Sequence, residues 1–181
     1  MEKDRNAFLG TAKECAFIAV FVAVLITVQL VLSFVPGVEL VTVLFVAYSF
    51  VFSWKRGMIS ATIFSLLRQI IFGFYPTVLI LYLVYFNLLT LCFGLLGKAI
   101  KRVGVFLPVI VVVACVCTAI FTMFDNILTP LWFGYGEKAT RLYFMASLPF
   151  MVPQIICTAV SVTVLFFPLY KLFCLLKNKL N

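Results

Sequence analysis

The chain has 181 residues and carries 14 Lys and Arg against 6 Asp and Glu, a net charge of +8. Apolar residues make up 65% of it, charged residues 11%, and mean hydropathy is +1.23. A soluble domain is roughly 45–50% apolar and about 25% charged, so this composition excludes an ordinary water-soluble domain and predicts an integral membrane protein. Because each crossing needs about 20 residues, six crossings fill the chain and leave no room for a separate catalytic or nucleotide-binding domain.

Histidine is absent from the sequence. Its absence excludes Ser-His and Cys-His catalytic pairs and His-ligated haem or zinc. The six cysteines are interpreted as small buried hydrophobes. We therefore expect no catalytic activity, no cofactor and no metal site in this chain.

Pro, Gly and charge clusters divide the sequence into six apolar segments, predicted as helices at about 12–35, 38–53, 58–74, 77–97, 105–124 and 146–167. Turns are predicted at 35–37, 54–57, 75–76 and 98–104, and one long loop, a candidate lid, at 125–145. The predicted fold is all-α: a single domain over residues 1–181, built as an integral membrane bundle of six transmembrane helices.

The orientation in the membrane follows from the basic residues. With the N-terminus in the cytoplasm, eleven Lys and Arg fall on the inner side, Lys138 and Arg141 fall outside, and Arg68 lies within a helix. The positive-inside rule then predicts six spans with both termini inside, N-in and C-in. We expect a multi-pass protein of the cell membrane, with the bacterial plasma membrane preferred. We therefore attribute the positive charge to orientation of the protein in the membrane. We expect membrane lipid as a partner and no nucleic acid.

Polar side chains gather in the predicted outer halves of the helices. They are costly inside a bilayer, so their position predicts a water-accessible pocket open to the outside for a polar organic solute. The predicted substrate-binding residues are Gln29, Glu39, Arg68, Gln69, Asn87, Asp125, Asn126, Trp132 and Gln154. Nearby aromatic rings able to stack on a planar ligand are Phe72, Phe74, Tyr75, Tyr82, Tyr85, Trp132 and Tyr135. Alternatively, Arg68 forms a structural bridge with Glu39 while the amides hold helices together.

Small residues recur on the first helix at three- and four-residue spacing: Ala12, Ala16, Ala19 and Ala23. Such a stripe lets another helix approach closely in the membrane. A partner helix and internal packing explain it equally well.

This layout resembles the substrate-binding S component of an energy-coupling factor (ECF) transporter. The resemblance covers nearly the whole chain and rests on the six segments, the alanine stripe, the Pro-Gly-Val-Glu turn at 36–39 and the closing Phe-Pro-Leu-Tyr-Lys-Leu at 167–172. It implies capture of a vitamin or related micronutrient from outside, followed by toppling onto a membrane T component that works with two ATPase subunits. Ala19 and Ala23, extended to Ala16 and Ala12, would dock on the T component. The turn and the aromatic residues suggest a cobalamin-like or other large ring-bearing vitamin.

Three other functions compete with this interpretation. A self-sufficient small transporter or channel needs a polar path through the full membrane thickness. An intramembrane enzyme without His needs paired carboxylates, a Ser-Lys pair or a metal-binding acidic motif, and no two of the six acidic residues form a spaced pair within one helix. A purely structural assembly protein would bind no small molecule.

Overall fold

The computed structural model describes residues 12–34, 40–100 and 103–180. Its helices are α1 (Ala12–Leu32), α2 (Val41–Phe52), α3 (Trp54–Phe72), α4 (Pro76–Ala99), α5 (Val103–Phe133) and α6 (Glu137–Leu180). These ranges contain no strand. The prediction of an all-α membrane bundle is confirmed.

Four of the helices, α1, α4, α5 and α6, are long and apolar enough to cross a membrane. Helix α2 has 12 residues, or about 18 Å, which is shorter than the roughly 30 Å hydrocarbon core. Helix α3 has 19 residues and includes Lys55, Arg56 and Arg68. A membrane location therefore follows from the structure, whereas six crossings and the N-in, C-in topology stay predictions.

The short helix α2 forms the centre of the bundle. Eleven of its 12 residues are buried, and it packs against α1, α3, α4 and α6. Ring contacts of Phe45 with Phe64 and Phe86, at 5.5 and 4.8 Å between centroids, join it to α3 and α4. The longer helices thus shield α2 from lipid.

The two ends of the bundle differ in charge. At one end, here called the basic end, Lys177 Nζ donates a hydrogen bond of 2.8 Å to the carbonyl oxygen of Val51. Arg56 forms an ion pair with Glu14 at this same end. The other end, here called the hairpin end, is where α5 turns into α6 through residues 134–136. The hairpin end corresponds to the predicted outer side.

The turn predicted at 54–57 is wrong, because these residues form the first turn of α3. Ser53 alone, with φ of 84°, separates α2 from α3. The turn predicted at 98–104 is too wide, since Lys98 still belongs to α4 and Gly104 already to α5. Charged residues end an apolar segment without ending a helix, since a helix end can extend into water. The turn predicted at 35–37 lies outside the described residues.

The long loop predicted at 125–145 is also wrong. Helix α5 continues to Phe133 and α6 begins at Glu137. Pro130 lies inside α5, because membrane helices tolerate proline better than soluble ones do, and Gly134 with φ of 64° follows the end of α5. The candidate lid is therefore a helical hairpin, in which α5 and α6 have 31 and 44 residues.

Candidate functional site

Buried polar atoms without partners concentrate on four of the predicted site residues. Among the described residues, eight buried side-chain nitrogen and oxygen atoms lack a hydrogen-bond partner. Six of them belong to Gln29, Arg68, Gln69 and Asn126. Buried polar groups in native proteins are nearly always hydrogen-bonded. A bound ligand would supply the missing partners, so we take the hairpin end of the bundle as the candidate ligand site.

The clearest cluster, here called the Arg68 group, consists of Gln29, Arg68, Phe72 and Tyr82. Gln29 Nε2 donates a hydrogen bond of 2.9 Å to the hydroxyl of Tyr82. The guanidinium carbon of Arg68 lies 4.5 Å from the ring centre of Tyr82 and 5.1 Å from that of Phe72. Arg68 and Phe72 share one face of α3 because they are four residues apart. The group therefore joins α1, α3 and α4 near their hairpin ends.

The positive charge of Arg68 has no counter-ion among the described residues. Its Nε and Nη1 atoms are buried without an acceptor. The ring faces of Phe72 and Tyr82 each stabilise the guanidinium by about 0.5–2 kcal/mol, whereas burying an unpaired charge costs several kcal/mol. The rings therefore offset only part of the cost of burying Arg68. The bridge to Glu39 considered above lies outside the described residues, as does every other contact of Glu39.

Gln69 is 5% exposed and takes part in local structure through one amide atom. Its Oε1 accepts a hydrogen bond of 3.0 Å from the backbone N–H of Tyr75, just before α4 begins. Its Nε2 has no partner. Gln69 therefore holds the connection between α3 and α4 and keeps one buried donor available.

Asn126 on α5 is 4% exposed, and neither atom of its amide has a partner. Phe121, five residues earlier, contacts the rings of Tyr82 and Tyr85 at 6.0 and 4.5 Å between centroids. These contacts bring α5 against α4 beside the Arg68 group. Asn126 lies about 7.5 Å farther along α5 toward the hairpin end. It shares a helix face with Thr122, which bonds to Gln154 on α6, so Asn126 lies on the side of α5 that contacts α6 and not on the side that contacts the Arg68 group.

Asn87 is occupied by the packing of α3 against α4. Its Nδ2 donates to the carbonyl oxygen of Leu83 at 2.7 Å and approaches the hydroxyl of Thr62 at 3.4 Å. This arrangement matches the alternative in which amides hold helices together.

Asp125 and Gln154 belong to the α5–α6 hairpin. The Asp125 carboxylate accepts hydrogen bonds from Thr129 at 2.8 Å and from Tyr143 at 3.0 Å, and Gln154 Oε1 accepts one from Thr122 at 3.4 Å. Their predicted depths are wrong, because Asp125 precedes the end of α5 by eight residues and Gln154 follows the start of α6 by 17. The hairpin is longer than the sequence indicated.

Trp132 lies at the tip of the hairpin and is 52% exposed. It stands six residues beyond Asn126 along α5, next to the exposed Phe133. The structure thus places Trp132 at the surface, where an interfacial aromatic residue is expected.

Sequence reasoning underestimated Tyr82 and the threonines of the hairpin. Tyr82 was one of seven candidate rings, yet it contacts both Gln29 and Arg68. The Thr118 hydroxyl lies 3.1 Å from that of Thr158 across the α5–α6 interface. The four-residue spacing of Thr118, Thr122 and Asn126 places them on one helix face, and this signal was present in the sequence.

The four alanines of the stripe are all exposed. Ala19 and Ala23 line an apolar groove of about 530 Å³ between α1 and α3. Its lining residues are Cys15, Ile18, Ala19, Val22, Ala23, Ile26, Thr27, Ile59, Ile63, Leu67 and Ile71. The stripe is therefore accessible to a partner helix.

Comparison of this chain with protein-family models, with curated proteins and with solved structures found no match.

Proposed function

We propose that this chain is the substrate-capturing subunit of an ECF-type ABC importer, which binds a vitamin or related micronutrient at its hairpin end. The observation that supports it is the concentration of unpartnered buried polar atoms on Gln29, Arg68, Gln69 and Asn126. A polar solute would supply the missing partners, and the rings of Phe72 and Tyr82 suit a ligand with a planar ring. Within this proposal, a cobalamin-like vitamin is the preferred ligand.

The contrast between the two ends favours capture over a channel. At the basic end the ring of Tyr48 lies 4.9 Å from that of Phe52 and 5.8 Å from that of Phe173. This aromatic packing supports a pocket that opens at one end only. A channel would need a polar path through the whole bundle.

Delivery would depend on the groove between α1 and α3. Small side chains at Ala19 and Ala23 let a helix of the T component approach the backbone of α1 closely. In this proposal the loaded protein topples in the membrane after docking, and the two ATPase partners hydrolyse ATP.

Capture is tested by purifying the chain alone in detergent and identifying any retained small molecule by mass spectrometry. We expect a micronutrient at about one molecule per protein. A protein that retains nothing after exposure to the small-molecule filtrate of yeast extract would contradict the proposal.

Docking is tested by Ala19→Trp and Ala23→Trp in cells that also produce the T component and the ATPases. We expect both variants to bind ligand as the wild type does but to lose copurification with the T component and uptake. Val20→Trp is the matched control, because Val20 lies on α1 outside the groove and is 62% exposed. Equal copurification of Ala19→Trp and Val20→Trp would exclude this docking face.

A further inference from the structure

We infer that the captured solute carries an anionic group, a carboxylate or a phosphate, that binds the guanidinium of Arg68. This inference rests on the proposed capture function and specifies the chemical class of its ligand. Three observations support it: the unpartnered donors, the absence of a counter-ion among the described residues and the way in which the guanidinium is held.

The unpartnered atoms around Arg68 are mostly donors. Arg68 contributes Nε and Nη1, Gln69 contributes Nε2, and Gln29 contributes the acceptor Oε1. A guanidinium nitrogen can only donate, so the partner that completes Arg68 must present hydrogen-bond acceptors. Oxyanions form the shortest and strongest hydrogen bonds with guanidinium groups.

The carboxylates of the described residues leave Arg68 uncompensated. Asp125 is engaged by Thr129 and Tyr143 on the hairpin. Glu14 pairs with Arg56 at the basic end, and Glu137, the first residue of α6, forms no ion pair with a described residue. With the described residues alone, the Arg68 group therefore carries a net positive charge, and a partly buried position strengthens its attraction for an anion.

The guanidinium is also held in place before any ligand arrives. The rings of Phe72 and Tyr82 contact it, and Tyr82 is fixed in turn by its hydrogen bond with Gln29. A pre-oriented donor loses less entropy on binding. Such an arrangement suits recognition of an oxyanion.

A phospholipid phosphate has the same chemistry as an anionic solute, but it approaches from the outer surface of the bundle. The two nitrogens without acceptors are buried. The structure therefore favours a solute that enters between the helices over a lipid headgroup.

The test compares wild type, Arg68→Gln, Arg68→Lys and Arg141→Gln, each delipidated in detergent and incubated with the small-molecule filtrate of yeast extract. Arg141 is the matched control, since it is an exposed arginine on the hairpin. Mass spectrometry should show an acid retained by wild type and by Arg141→Gln, and retention lowered about 10–100-fold by Arg68→Gln. Arg68→Lys should restore part of it, because the charge remains while the rigid fork of donors is lost.

A second measurement needs no variant: the affinity of wild type for the retained acid is compared with that for its neutral methyl ester. We expect the ester to bind about 10–100-fold more weakly. A neutral compound retained equally by wild type and Arg68→Gln, or an ester that binds as well as the acid, overturns the inference while the capture function stands. If neither the wild type nor any variant retains a compound, both the capture function and the anionic ligand are wrong. A phospholipid extracted from wild type but not from Arg68→Gln would assign the anion to a lipid and overturn the solute.

Discussion

The basic end and the hairpin end of this bundle differ in how far their buried polar groups are hydrogen-bonded. At the basic end, the buried hydroxyls of Ser60 and Thr90 are bonded within their own helices, to the carbonyl oxygens of Arg56 and Asn87, both at 3.0 Å. Of the described residues there, Ser49 alone has a buried hydroxyl without a partner. At the hairpin end, Arg68 and Asn126 keep buried polar atoms without partners. The difference indicates that one end supplies stability and the other retains unsatisfied groups that a ligand can use, a division typical of functional sites.

Close backbone contact explains the tight packing of the basic end. A Cβ atom added at Gly94 would overlap the backbone of Trp54, and one added at Gly97 would overlap the carbonyl oxygen of Phe50. Only glycine at these positions lets the connection from α2 to α3 lie directly on α4. The contact involves backbone atoms, which cannot rotate away.

The largest expected effect comes from breaking that contact. Gly97→Ala should destabilise the fold by about 3 kcal/mol, because the added methyl group overpacks a rigid backbone contact. The measurement is the midpoint of thermal or detergent-induced unfolding. Gly104→Ala is the control, since nothing lies within 4 Å of a Cβ at Gly104. Equal stability of the two variants would contradict close packing at the basic end.

At the hairpin end the comparison predicts the opposite sign. Asn126→Leu should stabilise the protein without ligand by about 1–3 kcal/mol, because it removes a buried amide that has no partner, and it should weaken retention of the ligand. Asn87→Leu is the control, because the Asn87 amide is hydrogen-bonded to Leu83 and Thr62 and should give no gain. If Asn126→Leu unfolds more readily than wild type, Asn126 serves structure and the contrast between the ends fails there.

The smallest effect is expected at the ion pair of the basic end. Glu14→Gln should lower stability by about 1 kcal/mol or less, since ion pairs near the surface contribute little, and the loss should shrink as salt is added. Glu137→Gln is the control, because Glu137 forms no ion pair with a described residue. A loss as large as that of Gly97→Ala would show that charge pairing, and not backbone packing, closes this end.

Helix existence could be predicted from the sequence, whereas several helix ends could not. Apolar segments bounded by Pro, Gly and charge clusters identified all six helices. The sequence predicts a loop around Pro130, whereas α5 continues through it, because proline inside a membrane helix is tolerated when neighbouring helices and side chains satisfy the freed groups. The charges of Lys55 and Arg56 predict a turn, whereas both residues lie in the first turn of α3.

The candidate site was predicted in part. The depth of Gln29, Arg68 and Gln69 in apolar segments identified them as unusual, and all three keep unpartnered buried atoms. Asn126, predicted just beyond the fifth segment, also keeps them, because α5 continues past it. Asn87 and Gln154 have the same chemical character, yet hydrogen bonds to Thr62 and Thr122 engage them in helix packing. A sequence position gives the depth of an amide but not the partner that its neighbours provide.

By itself, the sequence determined that this chain is a helical membrane protein with polar groups set into its apolar segments, because composition and segment length fix which solvent a chain can enter. Only the tertiary structure decided that α2 is the buried centre, that α5 and α6 form a continuous hairpin and that Tyr82 joins Gln29 to Arg68. Those features depend on contacts between residues far apart in the chain, and an apolar pattern specifies burial without specifying the neighbour.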